Sequence, residues 1–367
     1  MSLRLIQLSD IHLGASFKFL GEKSSDHKKM VLKAFLKAVD YAIKNKVDIF
    51  LVAGDLFDIK NPSSYTVSFV LDQFKLLAEK SIHVVILPGN HDHDREQSIY
   101  NSYEFDFSEN PFIHSLSQKP VQNLELNDLS CNIVGYMQMP SDSDEYLNKI
   151  KKNQDFQYNI GLIHASIDMG RSSVLRTIPL NKLKSFGFDY IAMGDWHNTL
   201  KVDENIWYSG SPEILSMDQK GSGKILDIEI NDSKLSVREV EIGSIKIINN
   251  EFDITNLTDI NELLTKIKNL SDNFSILNLK FTGIKNIDLN LDIMLVKEAL
   301  SNFFYYINIV DESHIELSES ELLQQSSNLV IGQFVKYIQD KIKNGEVAND
   351  IGDEALQLGV NLLKKKS

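Results

Sequence analysis

Cysteine is nearly missing: Cys131 stands alone in 367 residues. One thiol excludes an internal disulfide framework and any cysteine-based metal site, and it reads as an inert buried group. Long apolar runs are missing too. The longest, "IFLVAG" and "VVILPG", fall far short of the ~20 residues needed to cross a bilayer, so no membrane role is expected. The first residues, "MSLRLIQLSD", lack the basic region and apolar core of a secretory signal, and a cytoplasmic protein is expected. Positive charge is in deficit, with 38 Lys and Arg against 51 Asp and Glu and a net charge of −13. That balance argues against binding nucleic acid by general attraction, leaves room for a local basic groove, and suits a chain that concentrates cations. Low-complexity tracts and internal repeats are absent as well.

What is present is globular in composition, 43% hydrophobic and 24% charged. The length exceeds one ordinary domain of about 150 residues. Residues 3–8 read as a strand, 28–45 as a helix with apolar residues at helical spacing, and 47–55 as a short apolar strand closing in a turn. A helix at 64–80 and a strand at 82–90 repeat the unit, which implies parallel strands covered by helices. Further buried strands are expected at 132–137, 158–166 and 188–197, then a closing hairpin from 224–230 to 234–242. The texture changes near residue 250. An amphipathic helix at 258–270, an alternating strand at 275–281 and a second helix–strand pair to about 310 read as a small α/β domain. An acidic stretch at 311–321 reads as a linker, and two helices follow, one ended by Gly345 and one at 352–364.

In an open α/β sheet, functional groups gather in the turns after the carboxyl ends of strands. Five such turns carry coordinating side chains: "SDIH" (Asp10, His12), "GDLFD" (Asp55, Asp58), "GNHD" (Asn90, His91, Asp92), "IHAS" (His164) and "GDWH" (Asp195, His197). Glycines 54, 89 and 194 precede the polar residue and permit tight turns. A lone Asp or His at a strand end is usually a cap or a satisfied polar group. The N/O donors on these five ordered turns exceed the needs of one ion. They fit a two-metal centre, the ions ~3.5–4 Å apart with one carboxylate bridging. Oxygen and imidazole donors without thiolate favour Mn²⁺, Mg²⁺, Fe or Zn²⁺ over copper. Phosphoester hydrolysis is the chemistry such a centre performs. By contrast, His83 reads as core, His27, His93, His114 and His314 as surface, and "FFYY" (303–306) as packing.

These motifs in this order resemble the calcineurin-like metallophosphoesterases, and within them the SbcD-type DNA double-strand-break repair nucleases. The stretch "GFDYIAMGDWH", followed by "WYSGSPEILSMDQKGSGKILDIEI", carries the narrower resemblance, which covers about residues 1–245. It implies an αββα sandwich at 1–245, a small α/β capping domain at 250–310 and a C-terminal helical segment at 322–367. It further implies that Asp10, His12 and His197 hold one metal, that Asn90, His164 and Asp195 hold the other, and that Asp55 bridges them. His91 would contact the scissile phosphate and assist the leaving oxygen, Asp92 would orient His91, and Asp58 would support the ligands from behind. One departure matters: the family usually shows "GHxH" where this chain has "GDWH". Asp195 thus replaces a histidine, which lowers the positive charge of the loaded site and favours Mn²⁺ or Mg²⁺ in its second position.

Substrate and partners rest on the resemblance. It implies DNA, bound weakly by the chain alone, and an SbcC-type coiled-coil ATPase docking on the C-terminal helices; a homodimer is left open. Arg171 and Arg176, after His164, and Lys18, Lys23, Lys28 and Lys29, after the first turn, are candidate backbone contacts, or equally solvated loop charges. Two alternatives stand beside the Mn²⁺-dependent exonuclease/endonuclease: a metallophosphodiesterase of a smaller nucleotide-type substrate, and a non-catalytic scaffold with a degenerate metal site.

Overall fold

The structure, a computed structural model, describes residues 2–92, 98–102, 105, 107–138, 145–168, 177–231, 234–285, 291–313 and 329–364. Contacts divide the chain into two compact units, Met1–Lys246 and Ile247–Ser367.

The first unit is an αββα sandwich, as the resemblance implies. One sheet is built around β1 (Ser2–Leu8), β2 (Ile49–Ala53) and β3 (His83–Leu87), which run parallel. A three-residue strand, β4 (Ile113–Ser115), extends it beside β3. The second sheet orders β5 (Val121–Leu126), β6 (Cys131–Met137), β7 (Tyr158–His164) and a strand at Tyr190–Gly194, with β6, β7 and Tyr190–Gly194 parallel. Strands Ile206–Tyr208 and Leu200–Asp203 complete that sheet. Strand Gly221–Asn231 returns to the first sheet and pairs antiparallel with β1.

Side-chain chemistry explains the layers. Strands β2, β3, β6 and β7 are buried along their whole length, as parallel strands covered on both faces must be. Leu5, Leu51, Val85, Ile133, Ile160 and Leu226 meet between the sheets in one apolar core. The outer face of the first sheet is sealed by α1 (Ser24–Asn45) and α2 (Ser64–Glu79). There the Phe35 ring lies edge-on to Phe50 and Phe74, at 6.4 and 6.1 Å between centroids. The outer face of the second sheet is covered by Leu147, Leu183, Phe186 and Phe188. Short edge strands such as β4 and β5, mixed in polarity, carry no readable alternation in the sequence.

The second unit has its own core of Ile254, Leu263, Ile267, Leu279, Phe281 and Leu300. Helix Ile260–Lys268 and strand Asp272–Thr282 precede helix Ile293–Leu300 and strand Phe304–Asp311, and the two strands are parallel. Phe304 is buried there, as packing requires. Helices Leu329–Lys343 and Asn349–Lys364 follow and bury Ile331, Val335 and Val360 against each other. Among the described residues no helix is long and apolar enough to cross a membrane.

Two histidine readings change. His27 is buried, not on the surface: Phe17 stacks edge-on at 4.5 Å and the Ile214 carbonyl lies 2.5 Å from Nε2. His114 is half-buried, with Nε2 3.1 Å from His83 Nδ1, and His83 in turn meets Asp128 at 2.9 Å. Burial pushes the His114 pKa down to about 4. His93 and His314 lie outside the described residues. Cys131 is buried, and burial pushes its thiol up to about 12.

Candidate metal centre

Because β1, β2, β3, β7 and Tyr190–Gly194 all end at one rim of the sandwich, their five turns converge. The first two turns are zipped by backbone bonds. Asp10 N–H donates to Gly54 O at 3.0 Å, His12 N–H to Asp55 O at 3.0 Å, and Asp58 N–H to Leu13 O at 3.1 Å. The fifth turn joins them where Asp195 N–H donates to both Asp10 oxygens, at 3.1 and 3.3 Å. Asp10, His12 and Asp55 sit in the left-handed region with φ of 51, 49 and 49°, and Asp195 at 100°. Backbone in that region costs energy for a residue with a Cβ, and such strain concentrates at functional sites.

Two glycines are dictated by space. A Cβ on Gly54, whose φ is +92°, would lie 2.0 Å from His164 Nδ1. A Cβ on Gly89 would lie 2.1 Å from Asp55 Oδ1. The turns press so closely on the polar groups that only hydrogen fits.

The donors then face one another. Asp10, His12 and His197 present ligand atoms within 4.8 Å, as do Asp10, Asp55 and His164, and His12, Asp55 and His91. His164 Nδ1–H donates to Ala53 O at 3.0 Å, since a carbonyl can only accept. That leaves Nε2 aimed at three oxygens: Asn90 Oδ1 at 3.0 Å, Asp55 Oδ2 at 3.5 Å and Asp195 Oδ1 at 3.9 Å. His12 repeats the pattern. Its Nδ1–H donates to Asp58 Oδ1 at 3.1 Å, while Nε2 is buried with no hydrogen-bond partner among the described residues. A lone pair facing oxygens is repulsive unless a cation or proton lies between, so the donor set fits divalent metal.

Electrostatics agree. Burial pushes Asp10 upward. Burial also works upward on Asp55, but His164 and His12 hold it well below the usual carboxylate range. For His164, burial alone would lower the pKa, yet Asp55, Asp10 and Asp195 drive it up to about 10. The cluster demands positive charge at its centre.

The structure therefore brings together Asp10, His12, Asp55, Asn90, His91, His164, Asp195 and His197, with Asp58 behind His12 and 3.9 Å from His91 Nδ1. Asp92 is a correction. Its carboxylate does not reach His91; it accepts from Phe57 N–H at 3.0 Å, Gly89 N–H at 2.9 Å and Tyr100 O–H at 2.8 Å. It braces the loop rather than the chemistry, and burial followed by the Asp55 charge pushes its pKa up to about 6. Arg171 and Arg176 lie outside the described residues. Two supports are absent from the sequence reading: Ser166, whose hydroxyl donates to Asp195, and Gln219, whose side-chain N–H donates to His197 O at 2.9 Å. Ser166 stands two residues after His164, a spacing that could flag it, whereas Gln219 is 22 residues from His197 and carries no local signal.

A model of the calcineurin-like phosphoesterases matches residues 3–199, more than half of the chain. The chain belongs to this family. Membership makes it an enzyme of phosphoester hydrolysis that uses divalent metal ions, and the donor groups that converge here could hold such ions. Among curated relatives, the calcineurin-like chain is similar to the SbcD subunit of the SbcCD nuclease of Staphylococcus epidermidis, 24% identical over 92% of this chain and 94% of that protein. It is also similar to the DNA double-strand break repair protein Mre11 of Sulfolobus acidocaldarius, 24% identical over 99% of this chain and 98% of that one. The Mre11 protein of Thermoplasma acidophilum is 25% identical over 72% of each chain.

Gly89→Ala tests the packing of the site. The added methyl displaces the Asp55 carboxylate, and a shift of about 1 Å can cost on the order of 10²-fold in rate. Expected are a folded protein by circular dichroism and a loss of phosphodiesterase activity of that order. Parental activity at parental thermal stability would contradict the packing argument.

Proposed function

We propose that the chain is the nuclease subunit of an SbcCD-type DNA repair complex, cleaving DNA as an exonuclease and endonuclease with two divalent ions, Mn²⁺ foremost. The observation that carries the reading is the pair of buried imidazoles, His12 and His164, whose Nε2 atoms point inward among Asp10, Asp55 and Asn90 with Nδ1 locked from behind. Locking of this kind fixes the tautomer of a metal-binding histidine. The nuclease name of the first relative and the DNA-repair name of the Mre11 proteins supply the substrate class.

In this reading Asp10, His12 and His197 would hold one ion, Asn90, His164 and Asp195 would hold the other, and Asp55 would be shared by both. When bound, the ions polarise the phosphate and lower the pKa of the attacking water. His91 stands apart: its side chain is 47% exposed, with its ring 4.6 Å from that of His12. In this reading it contacts the scissile phosphate from the solvent side and donates a proton to the leaving oxygen, and its exposure supports that role. Asp58 keeps His12, and at longer range His91, in orientation.

End-labelled single- and double-stranded DNA incubated with the purified chain and Mn²⁺ tests the reading. Cleavage is expected, falling about 10²–10⁴-fold in His91→Ala, the range of general acid catalysis. DNA left intact while a small chromogenic phosphodiester is cleaved would overturn it in favour of a smaller substrate. Asp195→His tests the departure from the family motif. The loss of one negative charge is expected to lower KM for a phosphodiester severalfold, and the exchange of oxygen for nitrogen to shift metal preference away from Mn²⁺ and Mg²⁺. Unchanged KM and metal preference would refute the charge argument.

The same reading makes 1–245 the nuclease domain, 250–310 the capping domain and 322–367 the docking segment, in a cytoplasmic protein. The terminal helices support the docking role. Val330 and Tyr337 on one helix, and Ile351 and Leu358 on the other, are exposed apolar residues seven apart, the spacing of a seam for another helix. An SbcC-type coiled-coil ATPase is the partner proposed, the chain alone binding DNA weakly. Leu358→Glu, at a position 62% exposed, is expected to leave the fold intact and abolish co-purification with such an ATPase. Retained co-purification would contradict the assignment.

A further inference from the structure

Trp196 lies between Asp195 and His197, so its Cα is ~3.8 Å from that of each. Asp195 approaches His164 at 3.9 Å, and the His197 ring centre lies 5.2 Å from that of His12. The indole is thus anchored one residue from both halves of the candidate metal centre.

The two tryptophans of the chain differ sharply. Trp207 is half-buried, donates its indole N–H to Glu204 O at 3.3 Å and carries Lys201 Nζ 5.8 Å from its ring centre. Trp196 is 50% exposed, and neither its ring nor its N–H has a partner among the described residues. A singly exposed apolar residue is ordinary on a protein surface. This one is the largest side chain available, set in a turn whose neighbours are committed to ligand positions. Ile59, 52% exposed, directly follows Asp58 on the opposing turn, so apolar surface borders the centre on a second turn as well.

Charge sharpens the case. No lysine or arginine occurs from Leu162 to Asp168 or from Met193 to Leu200, and the chain as a whole carries −13. A polyanion crossing these two turns finds no lysine or arginine on them. A flat π-face offers affinity of another kind, since every base can stack on an aromatic ring whatever its sequence.

We propose that the Trp196 indole is a stacking platform for an unpaired nucleobase beside the scissile phosphate, selecting strands with exposed bases over phosphodiesters without bases. The assignment rests on the nuclease reading above and adds to it a specificity-determining residue outside the ligand set.

Fluorescence separates this claim from catalysis. In the Trp207→Phe, His91→Ala protein with Mn²⁺, Trp196 is the sole indole and cleavage is slowed. A short oligothymidylate is expected to quench its emission saturably, and the quench at saturation is expected to survive a rise in salt. A strand of equal charge made of abasic residues is expected to quench little. In the otherwise unmodified chain, Trp196→Ala is expected to raise KM for the oligothymidylate about tenfold more than for the abasic strand, the low end of the effect of losing one stacked base. Trp196→Phe is expected to recover most of that difference. Equal quenching by both strands, no quenching at all, or equal KM effects on both strands would overturn the proposal. Absence of cleavage of any strand by the parent chain would instead defeat the nuclease reading, while the quenching experiment still decides the role of Trp196.

Discussion

Two fully or nearly fully buried carboxylates, Asp10 and Asp55, face one another's histidines at the rim of the sandwich, and the rest of the site follows from that fact. Buried charge is costly unless it is paired. Here the protein supplies only partial pairing: protonated His164 and His12 hold Asp55 ionised, and each imidazole is fixed from behind by its Nδ1–H so that its inner nitrogen, once it gives up its proton, presents a lone pair. Oxygens and lone pairs arranged around one point form a receptor for cations. The elevated pKa of His164, about 10, expresses the same demand in protons.

The fold meets the cost of that arrangement with its two sheets. Parallel strands buried on both faces give the turns a rigid base, and backbone bonds zip the first turn to the second and tie the fifth to Asp10. Four site residues hold left-handed backbone, a local cost of the order of 1–3 kcal/mol each for strained positions. Asp92 belongs to this support. It satisfies two backbone N–H groups and the Tyr100 hydroxyl, so that the loop carrying Asn90 and His91 closes over Asp55.

Much of this is legible in the sequence because the signal is local. An apolar strand followed by Gly and an acid or amide recurs before residue 92, and α1 shows its buried face at Val31, Phe35, Ala38 and Val39. The metal-site candidates read as a set because each turn carries its own donor. What escapes is nonlocal or misleading by adjacency. His27 looks like a surface residue until the chain brings Ile214, 187 positions away, against it. Asp92 looks like a partner of His91 because it is its neighbour, but the turn sends the two side chains in different directions. Strand β4 spans three residues, too few for alternation to be read. Trp196 is masked inside "GDWH" because the residues on either side of it carry the ligand signal.

Electron paramagnetic resonance of the Mn²⁺-loaded chain, with metal content determined on the same sample, tests the central claim most directly. The account predicts two Mn²⁺ per chain and an exchange-coupled spectrum, as a carboxylate shared by adjacent ions requires. A single ion, or two giving the six-line signal of isolated Mn²⁺, would contradict it.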